Sequence, residues 1–248
     1  MAAEAFREFF SNTLFPFSTA PTPHPAPYST PQKGLDDGKR NELPSFVASL
    51  VHHLVVAPVG LHLFFKDWAR VPAEYLTMDY ALSFGGLWSV PFAFGYMAAD
   101  SIIFTFPQLL KGHYEYAMHH GAALTLFYGF VSTSGAVVRF MPAIYLCECS
   151  GVIFATAWFV RNGGGRDTAF LKFLELSFAV VFFITRIINF PLSMYTLMNL
   201  PTTMDSVGII RFALFPLIVL QFYWFYMIIK TLEKKKKTAA AARDEKKA

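Results

Sequence analysis

The sequence predicts an all-α, polytopic transmembrane helical bundle of about six spans, on three observations. Of 248 residues, 54% are hydrophobic and only 15% charged, with 28 Phe, a composition outside the range of ordinary soluble domains. The apolar residues come in blocks of about the 20 residues that a helix needs to cross roughly 30 Å of hydrocarbon. Within those blocks they run continuously and do not alternate, which argues against a transmembrane β-barrel.

The expected spans are residues 44–65, 86–109, 121–138, 141–160, 172–197 and 208–231. Spans three and four are short and close together, and Val138-Arg139-Phe140-Met141-Pro142 reads as the turn of a helical hairpin. Residues 1–43 read as a Pro-rich polar arm, with Pro16, Pro21, Pro23, Pro25, Pro27 and Pro31 opposing helix formation. The start, MAAEAFREFF, lacks the apolar core of a cleavable signal, so the first span is expected to act as signal anchor. Residues 233–248 read as a basic cytoplasmic tail, whose run Lys234 to Lys237 fixes topology more readily than it recruits anionic lipid.

The net charge of +4 is unevenly spread. With both termini cytoplasmic, Lys33, Lys39, Arg40, Lys111, Arg161, Arg166, Lys172 and the lysines from Lys230 to Lys237 share one side, and only Lys66, Arg70, Arg139 and Arg211 lie opposite. The positive-inside rule therefore places both termini in the cytoplasm. Cys147 and Cys149 stand two apart on a helix and face different ways, so packing is their expected role and no metal site is expected. Gly163-Gly164-Gly165 lacks the strand and lysine of a phosphate loop and reads as a hinge. No cofactor and no nucleic-acid partner is expected.

Ionisable groups at membrane depth are costly and point to function. In span two, Asp100 follows Tyr96 by one turn, and the tyrosine can donate to it. The approach to span three carries His113, Tyr116 and His120 on one helical stripe, with Glu115 and His119 on another. The pair His119-His120 offers imidazoles for acid–base work, with Asp100 as orienting carboxylate. A second pair, His52-His53, lies in span one beside Pro58 and Gly60. Adjacent helix positions differ by about 100°, so only one of the two is expected to face a given partner, through an interhelical hydrogen bond. Span four brings Glu148 and, one turn on, Gly151, which permits close approach of a neighbouring helix. Span five carries Arg186, which needs Glu148, Asp100, a lipid headgroup or an interfacial position to satisfy its charge, and Asn189 ahead of Pro191; Glu175, eleven residues from Arg186, is too distant to serve. Gln221, Tyr223, Trp224 and Tyr226 lead into an aromatic belt above the lysines of span six.

In order, GYMAADSIIF, YAMHHGAAL, LCECSGVIFATAWF, FFITRIINFPLSMY and LQFYWFYMIIK resemble the TLC-domain family, which includes ceramide synthases and smaller lipid-associated membrane proteins. The resemblance covers about residues 44–232 as one TLC-like transmembrane domain. It implies a multi-pass protein of the endoplasmic reticulum; membrane lipids are the expected partners, with membrane proteins or a second copy of the chain left open. In ceramide synthases a histidine pair similar to His119-His120 is joined by a further histidine and two aspartates on the next span. Here those positions hold Cys147, Glu148 and Gly151, so one carboxylate remains. Two functions follow as expectations. In the first, Asp100, His120, Glu148 and Arg186 line an intramembrane cavity that binds or senses a membrane lipid, in lipid homeostasis. In the second, His119, His120 and Asp100 catalyse acyl transfer from acyl-CoA to a sphingoid base. The lost side chains favour the first, and a transporter would need broken paired helices and a repeat that are not seen.

Overall fold

A computed structural model describes residues 37–65, 87–132, 140–166, 168–199 and 205–245. The fold is an all-α helical membrane bundle. Its rods are α1 (Asp37–Leu63), α2 (residues 87–110), α3 (Tyr114–Ser132), α4 (Met141–Asn162), α5 (residues 169–198) and α6 (Asp205–Glu245). Three stretches, Glu42–Leu63, Met141–Asn162 and Leu214–Thr238, are long and apolar enough to cross a membrane by length and composition. Both α2 and α5 carry a π-helical turn, Ser101–Thr105 and Phe183–Asn189, between α-helical halves. The Pro-rich arm through residue 36 and the first residues of the 138–142 turn lie outside the described residues.

Packing partners close the six rods into a ring in the order α1, α2, α3, α6, α5, α4 and back to α1. One apolar cluster plugs the ring: Val56 and Leu63 of α1, Ala93 of α2, Leu126 of α3, Tyr145 of α4, Met194 of α5 and Leu217 of α6. Along the odd-numbered rods these residues come late, in α5 after its π turn, and along the even-numbered rods they come early. Successive rods therefore alternate in direction, and the plug closes the end of the ring away from both chain termini. Large apolar side chains line the outside, with Ile102, Phe212 and Phe215 each more than 70% exposed, as expected where lipid is the solvent.

Sequence breakers do not end the helices here. Pro44 and Pro58 lie inside α1, Pro91 inside α2 and Pro216 inside α6; interior prolines are tolerated in membrane helices when neighbours satisfy the freed backbone groups. Nor does Gly60 break α1. A Cβ there would stand 2.6 Å from Tyr145 Cβ and 2.7 Å from its carbonyl carbon, so the glycine sets how closely α1 and α4 approach in the plug. Gly60→Ala forces backbone apart and is expected to destabilise by about 1–3 kcal/mol, seen as a lower melting temperature in detergent than for Gly121→Ala, where the added Cβ meets nothing within 4 Å.

At the terminal end, buried Glu175 joins three rods. Arg161 of α4 donates to it at 2.7 Å and Lys235 of α6 at 2.5 Å. The lysine run is thus not only a solvated extension: α6 continues as helix through Glu245. Gly164, with φ +96°, supplies the left-handed residue of the α4–α5 turn.

Candidate functional site

On the terminal side of the plug the ring encloses an open cavity of about 220 Å³, to whose wall every rod contributes. That is smaller than the roughly 300–1,000 Å³ of drug-sized pockets. Asp100, His119, His120, Glu148 and Arg186 all line it, so the structure brings the sequence-predicted site residues together. Ser45, Ser49, His52, His53 and Tyr96 line it too.

On one side, His120 Nε2 lies 3.5 Å from Asp100 Oδ2. Ser45 of α1 donates to the other oxygen, Oδ1, at 3.2 Å. The far nitrogen of His120, Nδ1, sits 3.0 Å from Thr105 Oγ1 and 3.2 Å from Ser101 Oγ. Ser101 spends its proton on the Met97 carbonyl at 2.6 Å, which leaves Thr105 as donor to Nδ1 and the Nε2 proton facing Asp100. Both hydroxyls come from the π turn of α2, whose wider winding presents the first and last of its five residues to one imidazole. His119 is placed differently: its Nδ1 is buried without a hydrogen-bond partner, and its ring meets Trp224 edge-on at 5.2 Å. The stripe rule is right for His120 and Tyr116, but His113 turns to Glu115 at 3.5 Å and does not line the cavity.

On the other side stands Glu148. His53 Nδ1 donates to its Oε2 at 2.6 Å, and His52 Nε2 lies 3.5 Å from the same oxygen. The expectation that only one of two adjacent histidines meets a given partner is therefore corrected. The carboxylate sits between the two ring directions, and His52 is held there by stacking on Tyr96 at 4.0 Å between centroids. Asp100 takes its hydrogen bond from Ser45 and not, as the one-turn spacing suggests, from Tyr96. Gly151 permits this arrangement, because a Cβ on it would fall 2.4 Å from the His53 ring. Ligand atoms of His52, His53 and Glu148 all lie within 4.8 Å of one another, the donor set of a cation site. Two ligands of one tetrahedral zinc stand about 3.3 Å apart at the usual bond lengths, so the 2.6 Å contact is a hydrogen bond as it stands.

Arg186 does not take Glu148 or Asp100 as its partner. Its Nε donates to Ser150 Oγ at 2.9 Å and its Nη1 to Gln221 Oε1 at 3.3 Å, both neutral, and its guanidinium lies 5.4 Å from the Phe182 ring centre. The reason is that Glu148 already faces the α1 histidines. Winding of the π turn Phe183–Asn189 leaves the Thr185 carbonyl to accept from Cys147 Sγ at 3.4 Å and Asn189 Nδ2 at 3.4 Å, as backbone freed by such a bulge must. Cys147 is thus a buried packing residue that bonds across to α5, and Glu175 is engaged elsewhere, as expected.

Sequence reasoning missed Ser45 and Ser49 altogether. The one available signal was spacing, since Ser45, Ser49 and His53 recur every fourth residue and so share a face of α1. A family model described as TLC domain matches residues 44–230. No curated protein and no solved structure matches the chain.

Proposed function

Because this chain belongs to the TLC-domain family, we propose that it binds a membrane lipid by its headgroup inside the ring, as part of membrane lipid homeostasis or sensing. The observation that carries the reading is the charge arrangement of the cavity. Arg186 is a cation that cannot be neutralised, and its hydrogen bonds run to neutral partners. Across the same cavity Asp100 is served by Ser45 and His120, and neither is a permanent charge. A buried charge without a partner of opposite sign is costly. A zwitterionic headgroup would offset both, with its phosphate on Arg186 and its ammonium on Asp100.

The alternative, a sphingoid-base N-acyltransferase using acyl-CoA, would rest on His119, His120 and Asp100. It has less support, since His119 lacks an orienting partner for Nδ1 and Cys147 stands where the resembling enzymes have a histidine. We further propose residence in the endoplasmic reticulum with both termini cytoplasmic. The alternating rods support the two termini sharing one side, because an even number of crossings returns the chain to its starting side, and the basic asymmetry supports that side being cytoplasmic.

The test is native mass spectrometry of the full-length protein released from mild detergent. Zwitterionic phospholipid should stay bound to the wild type, and occupancy should fall at least about tenfold in Arg186→Leu, in line with a charged hydrogen bond worth roughly 1.5–3 kcal/mol. Equal occupancy in the two proteins, both folded, would overturn the reading.

A further inference from the structure

We infer that Ser49, His53 and Glu148 form a nucleophile–base–carboxylate triad that cleaves the acyl ester of a glycerolipid held in the cavity. The inference rests on the lipid-binding reading for its substrate and goes beyond it in assigning chemistry to a histidine that the family resemblance does not mark.

Geometry carries it. Ser49 Oγ is 3.0 Å from His53 Nε2, and His53 Nδ1 is 2.6 Å from Glu148 Oε2. Glu148 accepts, so Nδ1 carries the ring proton and Nε2 offers its lone pair to the Ser49 hydroxyl. That is the order of roles by which a serine is activated, whatever the fold that presents it. The behaviour of other hydroxyls in the bundle sets Ser49 apart. Ser101, Ser150, Thr156 and Thr185 each donate to a carbonyl three or four residues back, the usual resting place of a hydroxyl inside a helix. Ser49 instead aims at an imidazole and faces the cavity. Neither histidine of the 119–120 pair has such an arrangement: His120 has its Nδ1 capped by α2 hydroxyls and its carboxylate at 3.5 Å, and His119 has no carboxylate within ion-pair reach among the described residues.

The reaction balances with water as the only co-reactant. Ser49 Oγ attacks the ester carbonyl carbon while its proton passes to His53 Nε2, and Glu148 stabilises the imidazolium. Arg186 lines the same cavity, and with N–H donors beyond the two given to Ser150 and Gln221 it can hold a phosphate and still add positive charge to the field in which the oxyanion forms. His53 then returns the proton to the departing glycerol oxygen, leaving a Ser49 acyl ester. Water entering through the cavity mouth attacks that ester with His53 again as base, releasing the fatty acid and restoring the serine. The substrate class is an O-acyl glycerolipid, and its source, a phospholipid or a neutral diacylglycerol, is what the assay arms distinguish.

The experiment treats detergent-solubilised full-length protein with an alkyl fluorophosphonate, which reacts with activated serines, and maps the adduct by mass spectrometry. The expected adduct is on Ser49, lost on heat denaturation and lost in Ser49→Ala. In parallel, oleate release is followed from dioleoyl phosphatidylethanolamine vesicles and from phosphatidylcholine vesicles containing dioleoylglycerol. Release above a boiled control is expected in at least one arm, falling at least about a hundredfold in Ser49→Ala while that variant still retains bound lipid and melts as the wild type does. Bound lipid on the wild type with an unlabelled Ser49, or release that persists in Ser49→Ala, overturns the triad and leaves the binding reading standing. Labelled Ser49 and active release on a protein that retains no lipid in native spectra would instead overturn the binding reading alone.

Discussion

Glu148→Ala is expected to be the most damaging single substitution in the cavity wall. Glu148 accepts from His53 at 2.6 Å and faces His52 at 3.5 Å, so its loss leaves two imidazoles with a polar edge turned to an empty space. Each such buried group costs about 1–3 kcal/mol, and the pair together roughly 3 kcal/mol, a large share of the margin by which proteins stay folded. Cys149→Ala, a neighbour that makes no such contact, sets the baseline. The melting temperature in detergent should fall markedly for the first and little for the second. Equal melting of the two would mean that Glu148 is not the hub between α1 and α4.

Gly151→Ala should come close to it through a different mechanism. The added methyl would lie 2.4–2.5 Å from three atoms of the His53 ring. That ring cannot simply swing aside, because Ser49 holds one nitrogen and Glu148 the other. Overpacking of this kind costs about 1–3 kcal/mol, and here the displaced ring also gives up its bond to Glu148. Because the harm comes from a clash with one side chain, removing that side chain should relieve it. The double variant Gly151→Ala/His53→Ala is expected to be more stable than the sum of the two single losses predicts, a coupling readable from a thermodynamic cycle. Strict additivity would place the origin of the effect elsewhere in α4.

Much of this architecture was legible because the bilayer imposes simple rules on sequence. Continuous apolar blocks gave the rods, and the rarity of charge within them singled out Asp100, His120, Glu148 and Arg186, all of which line the cavity. Gly151 was legible for the same reason, a missing side chain next to a buried carboxylate. What stayed hidden was pairing. Glu148 and Asp100 were two of the partners open to Arg186, yet Glu148 faces α1 and leaves the guanidinium to Ser150 and Gln221; which face of a rod meets which neighbour is decided by the ring order, not by any local pattern. The π turns at Ser101–Thr105 and Phe183–Asn189 were equally invisible, since their apolar residues read as ordinary helix and their effect is to shift the register of the polar ones. Ser45 and Ser49 escaped notice because a hydroxyl in a membrane helix usually bonds to its own backbone. Only the position of Asp100 and His53 beside them shows otherwise.

The most direct measurement of the central claim, that a lipid headgroup sits inside the ring, is photocrosslinking in native membranes. The probe is a phosphatidylethanolamine carrying a diazirine close to its headgroup, and the adducts on the full-length protein are mapped by peptide mass spectrometry. Adducts are expected on inward residues of 45–53, 96–104 and 178–186, and they should disappear in Arg186→Leu. Adducts confined to outward side chains such as Ile102, Phe173 and Phe212, unchanged by Arg186→Leu, would contradict the account.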